Sequence, residues 1–142
     1  MAIHLKRIYD VPAESDGARV LVDRLWPRGI SKEGAALVAW LRNVAPSNEL
    51  RQWYHANTEQ WPAFRKRYLA ELRAPEAECA LSELYGIADA HATVTLVFAS
   101  RNLERNNALV LKELLEGKKK PPSSSGPVRA VASRRARARR PR

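Results

Sequence analysis

Apolar and polar positions alternate at the start of the chain. Ile3 and Leu5 fall on one side and His4 and Lys6 on the other, which predicts a strand over Ile3 to Ile8. Val11-Pro12 and Asp16-Gly17 punctuate a loop. Ala18 to Asp23 is aliphatic and rich in valine, which predicts a second, more buried strand. The loop Leu25-Trp26-Pro27-Arg28-Gly29 follows. Ser31 is an N-cap for a helix whose Leu37, Trp40, Leu41 and Val44 share one face, and Ala45-Pro46 ends it. Ser47 caps a short helix through Leu50, Trp53 and Tyr54. Thr58 caps a longer one with Trp61, Phe64, Tyr68 and Leu72 at helical spacing, and Pro75 starts another with Leu81, Leu84 and Ala88 on its face. Thr93 to Phe98 reads as a third strand, Ala99 to Asn102 as a turn, and Leu103 to Glu116 as the last helix, with Ala108, Leu111, Leu114 and Leu115 inward.

Strands separated by helices predict an α/β fold: a small, mostly parallel sheet of about three strands with helices packed around it. Trp40, Trp61, Phe64 and Tyr68 are expected in its core. Ligands of such sheets bind beyond the carboxyl ends of the strands, which singles out the loops after Val22 and Phe98. The pattern stops at Gly117. Residues 1–116 are expected to form one domain. Residues 117–142, with Lys118-Lys119-Lys120-Pro121-Pro122 and Ser133-Arg134-Arg135-Ala136-Arg137-Ala138-Arg139-Arg140, read as a disordered tail by composition.

Charge sharpens that division. The 142 residues carry a formal net charge of +10. Lys118, Lys119, Lys120, Arg129, Arg134, Arg135, Arg137, Arg139, Arg140 and Arg142 supply ten positive charges with no acid among them, so residues 1–117 are formally neutral. Any nonspecific affinity for nucleic acid is therefore expected from the tail, the alternative being a solvated extension. The one cysteine, Cys79, sits in a predicted helix as a small core or half-buried residue. It permits no intrachain disulfide and fits a reducing compartment. Neither a signal-like leader nor a membrane helix is legible, so the expected location is the cytoplasm, with no membrane partner.

Three constellations could carry chemistry. In Asp23-Arg24-Leu25-Trp26-Pro27-Arg28-Gly29, Arg24 and Arg28 offer donors to an anion, Trp26 a flat face, and Asp23 a proton-transfer group. The competing reading is structural, with Asp23 paired to Arg24 or Arg28 and Trp26-Pro27 plugging the edge of the core. Ser100-Arg101-Asn102 precedes a helix, where free N–H groups and Arg101 could hold an anion beside Asn102; Ser100 or Asn102 is also expected to cap that helix. His55 is a second proton-transfer candidate, against a plain surface histidine. The chain has no glycine-rich phosphate loop, no metal-ligand spacing, and no cysteine after the third strand for thiolate chemistry. No cofactor is expected.

Four segments together resemble the YeaO-like family of uncharacterised proteins (domain of unknown function 488). They are Lys6-Arg7-Ile8-Tyr9-Asp10; Arg19 through Val22-Asp23-Arg24-Leu25-Trp26-Pro27-Arg28-Gly29-Ile30; Leu50-Arg51 with Tyr54-His55; and Thr95-Leu96-Val97-Phe98-Ala99 with Asn106 and Ala108-Leu109-Val110-Leu111. The resemblance spans residue 3 to about 116 and implies a compact α/β fold. It implies no activity, but it gives weight to the strand-end loops, and His55 is the histidine it supports best. It departs in the last loop: this chain reads Ser100-Arg101-Asn102 and Asn106-Asn107, and Asn107 stands where members tend to carry histidine. The resulting expectation is an anion site at the strand ends, with an enzymatic role left open. The alternatives are a nucleic-acid module acting through its tail and a scaffold with neither activity.

Overall fold

In the computed structural model of the chain, residues 2–117 are described. The basic tail from Lys118 onward lies outside them. A residue in a strand alternates between faces, and that alternation decides the layers here. Strand β1 spans Ala2–Arg7, β2 Ala18–Leu21, β3 Ala39–Trp40 and β4 Thr93–Phe98. They form one all-parallel sheet in the order β1-β4-β2-β3. Ala18 and Val20 of β2, Val22 just beyond it, and Val94, Leu96 and Phe98 of β4 face the large core. Leu21 and Val97 face a smaller cluster on the other side with Ile8, Ala35, Trp26, Ile30, Leu37 and Trp40.

The large core is roofed by helices α2 (Asn48–Ala56), α3 (Trp61–Glu71), α4 (Pro75–Ala90) and α5 (Asn107–Gly117). Leu50, Phe64, Tyr68, Leu84, Ala88, Leu111 and Leu115 are their buried contributions. Ser47 caps α2 by accepting from the Leu50 N–H, and Pro75 opens α4, as the sequence predicts. Thr58 does not cap α3; its N-cap is Gln60, with no side-chain cap. Trp40 and Trp61 are half-buried against the core, whereas Phe64 and Tyr68 are fully enclosed. Cys79 is exposed on α4 and free, contrary to the expected core or half-buried place; it falls on the solvent side while Leu84 and Ala88 turn inward.

The predicted helix from Ser31 to Val44 is corrected most. Helix α1 covers only Lys32–Ala35, and Ala36 stops it at φ 52. The chain then adds a strand the pattern did not predict, β3, which brings the sheet to four strands, and a 3-10 turn over Arg42–Val44. The helical spacing of the apolar residues arose because the segment serves two cores. Leu37 and Trp40 pack into the smaller cluster, while Leu41 and Val44 belong to the larger. The last helix is also shorter than predicted: it starts at Asn107, and Leu103 to Asn106 are loop.

Candidate functional site

The strand order makes a crevice at the carboxyl edge. After β2 the chain moves toward β3. After β4 it enters α5, which packs back on β1 and β4. Adjacent strands β2 and β4 thus send their continuations to opposite sides, the arrangement at which open α/β sheets bind ligands.

Asp23 closes the space between them. One carboxylate oxygen accepts the Ala99 N–H at 2.8 Å, and the other lies 3.5 Å from Asn107 Nδ2. Asn107 also donates to Val22 O at 2.9 Å. Burial raises the Asp23 carboxyl above the usual carboxylate value, against the opposing pull of the Ala99 N–H, the Asn107 side chain and the Arg51 charge. Beneath it, the Tyr68 hydroxyl donates to Val44 O and is fully enclosed. Burial pushes its pKa well above the ordinary phenol value, and the charges of Asp23 and Glu71 add to that.

The neighbouring loop is held by the same kind of contact. Arg24 does not pair with Asp23. Its guanidinium donates to Ala45 O at 3.0 Å and Pro46 O at 3.2 Å. Glu71 accepts from the Ser47 N–H and hydroxyl at 2.8 and 2.6 Å. The Trp26 indole donates to Ile30 O and meets Trp40 edge-on, with ring centroids 5.3 Å apart, while Trp40 donates to Asp23 O. Trp26 packs on the smaller core, and Pro27 after it is buried. Arg28, by contrast, is exposed.

The loop after β4 has its own fastening. Asn102 Oδ1 accepts from the Glu104 and Arg105 N–H groups, and Ser100 Oγ from the Asn102 N–H. These are turns within the loop. The α5 helix is instead served by Asn106, whose Oδ1 accepts from the Leu109 N–H, so neither Ser100 nor Asn102 is its cap. Arg101 is exposed. His55 is exposed on α2, its side chain makes no hydrogen bond among the described residues, and it is not among the groups acting on Asp23.

Sequence reasoning missed the third loop, the one after β1. Arg7 donates to Ala99 O and Ser100 O, both at 3.0 Å, and lies 5.1 Å from the Tyr9 ring centroid. Tyr9 in turn donates to Arg28 O at 3.1 Å, and Tyr54 donates to Arg105 O at 3.3 Å. The order β1-β4-β2, which brings the first loop to the other two, cannot be read from spacing. Around this edge stand Arg28, Arg51, Arg101 and Arg105. All four are exposed, and none makes a side-chain hydrogen bond or ion pair among the described residues. Chemically the edge can receive negative charge. It does not offer an activated nucleophile: the carboxylate is occupied by internal donors, and the loop after β4 has no thiol. Among the described residues no group of three or more His, Cys, Asp or Glu could hold a metal ion, and no helix is long and apolar enough to cross a membrane.

A family whose description reads "Inactive DUF488-N3 subclade" matches residues 2–129. The chain belongs to that family. Within the DUF488 family it is 44% identical to the uncharacterized protein YeaO of Escherichia coli over 115 residues, 81% of this chain and 97% of that protein. It is 41% identical to the uncharacterized proteins Mb3100c of Mycobacterium bovis and Rv3073c of Mycobacterium tuberculosis over 116 residues, 82% of this chain and 95% of each. No solved structure matches the chain. Nearly the whole of these DUF488 relatives therefore corresponds to a stretch as long as the domain described here.

Proposed function

We propose that this DUF488 domain is a non-catalytic recognition module that binds an anionic group at the carboxyl edge of its sheet. The observation that carries this reading is the fastening of three strand-end loops to one another while Arg28, Arg51, Arg101 and Arg105 are left exposed around them. A rigid frame with free guanidiniums is pre-organised for carboxylate, sulfate or phosphate oxygens. Of the residues singled out from sequence, Arg28 and Arg101 face the ligand in this reading. Arg24, Trp26 and Asn102 shape the loops, Asp23 ties β2 to β4, and His55 has no part. The subclade's description as inactive and the absence of a thiol after β4 support a binding role over an enzymatic one. The single free cysteine suits the reducing cytoplasm.

The test is thermal unfolding in phosphate, sulfate and small carboxylates, for the native chain, Arg28→Ala and Arg101→Ala. A ligand at about 100 times its Kd adds roughly 2.7 kcal/mol to stability. An upward shift that both variants lose is the expected result. No shift, or one that neither variant alters, refutes the proposal.

A second activity rests on the ten positive charges of residues 118–142. In this reading Lys118, Lys119, Lys120, Arg134, Arg135, Arg137, Arg139 and Arg140 bind nucleic-acid phosphates without sequence preference. Each phosphate neutralised adds about 0.9 to the negative slope of log affinity against log salt on duplex DNA. Equal affinity with and without those residues refutes it.

A further inference from the structure

Five large apolar residues are exposed among the described residues, and four of them sit in the loops at this one edge. Tyr9 (45% exposed) and Val11 (81%) follow β1, Leu25 (59%) follows β2, and Leu103 (60%) follows β4. Single exposed apolar side chains need no explanation, but their convergence on one edge among free arginines does. Tyrosine and arginine are among the side chains that protein interfaces concentrate at their centres, and Val11, Leu25 and Leu103 add apolar area that binding would cover. A free inorganic anion has no use for the apolar part.

We propose that the carboxyl edge docks an extended acidic segment of another protein, one with aliphatic or aromatic side chains set among its carboxylates. This rests on the anion-binding reading and names the ligand class. The charge argument is local: four exposed, unpaired arginines stand against exposed Asp10 and Glu104. Those two acids lie in the same loops as Val11 and Leu103, so a broad anionic membrane would press its headgroups onto them. An extended chain, unlike a broad surface, need not cover both. Strands stand about 4.8 Å apart, so β1 to β2 across β4 spans roughly 10 Å, three residues of an extended chain at about 3.3 Å each. A segment of about ten residues therefore covers the strand ends and both flanking loops.

The experiment uses the full-length protein and three probes: a 12-residue peptide alternating glutamate with leucine and phenylalanine, an oligoglutamate of equal charge, and inorganic sulfate. Covering one exposed leucine is worth roughly tenfold in affinity. The mixed peptide is expected to bind at least tenfold more tightly than oligoglutamate, and Arg28→Ala with Arg101→Ala to weaken both. Leu25→Ser with Leu103→Ser, substitutions at exposed positions, should abolish the preference while leaving oligoglutamate binding unchanged. Equal affinity for the two peptides overturns this inference and leaves the anion reading standing. So does sulfate binding without peptide binding, or binding to phosphatidylserine vesicles in place of the peptides. If none of the probes binds, both fall.

Discussion

Asp23→Ala is the substitution that separates a fastening carboxylate from an idle one. In the native protein one oxygen of Asp23 accepts the Ala99 N–H at 2.8 Å, and the residue is half-buried. A hydrogen bond to a charged group contributes about 1.5–3 kcal/mol, and the truncation also leaves the Ala99 N–H without its acceptor. Against this, removing the carboxylate relieves the burial cost that raises its pKa, and the attraction to exposed Arg51 is a minor loss. The net expectation is a destabilisation of about 1–3 kcal/mol, read as a lower urea midpoint at unchanged slope. Asp23→Asn keeps an acceptor for Ala99 and should cost less. The pH dependence has a definite sign. Because the folded-state pKa lies above the unfolded one, the native protein holds the extra proton between the two values, so this contribution to stability declines as pH rises through that window. Asp23→Asn should lack that decline. If Asp23→Ala unfolds within about 0.5 kcal/mol of the native protein, the carboxylate does not join β4 to β2 and the argument fails.

Four further outcomes follow from close contacts. Tyr68→Phe leaves Val44 O without its buried donor and should cost about 1–3 kcal/mol in denaturant unfolding, with the fold retained by circular dichroism. Asp16 accepts from Arg19 at 2.7 Å and Lys6 at 3.1 Å. Asp16→Ala should therefore cost about 3–5 kcal/mol by stranding the buried guanidinium, whereas Arg19→Met, which also removes an Nη2 group that has no partner among the described residues, should cost less than half as much. Burial pulls Asp16 up, but the Ala13 N–H, Lys6 and Arg19 outweigh it and hold its pKa below the ordinary value, so its contribution is kept at neutral pH and lost as acid titrates it; Asp16→Asn should flatten the acid limb. Gly17→Ala places a Cβ 2.3 Å from Thr93 O at a backbone φ of +64, so a loss of about 3 kcal/mol or more is expected in urea.

Local pattern carried β1, β2, β4, α2 and α4, because β2 and β4 are short apolar runs buried on both faces and the helices turn one apolar side inward. It failed at residues 31–44, where a single stretch feeds both faces of the sheet and so imitates a helix. Asp23, Arg28 and Arg101 were legible as strand-end residues. Their division of labour was not, since it depends on which donors and acceptors the fold brings opposite them. Arg24 looked like a ligand for an anion until the Ala45 and Pro46 carbonyls took its guanidinium. Asn107 drew attention only through the resemblance, as a departure from histidine, and it proves to be the residue that reaches Val22 and Asp23 from α5. Arg7 and Tyr9 entered only through the resemblance and without a role, because the strand order that moves the first loop beside the others leaves no trace in spacing.

That strand order also bears on the order of events during synthesis. β4 lies between β1 and β2, yet it begins at residue 93. When the ribosome has delivered the first two strands they have no partner in each other, and their shared central partner arrives only after more than seventy further residues, among which the short β3 is the one strand. Translation at roughly 5–20 residues per second makes that wait several seconds, long against the microseconds of hydrophobic collapse. The nascent chain therefore carries β1 unpaired, β2 with only the two-residue β3 beside it, and an unroofed core, and the sheet closes in one late step when Thr93–Phe98 emerges and inserts.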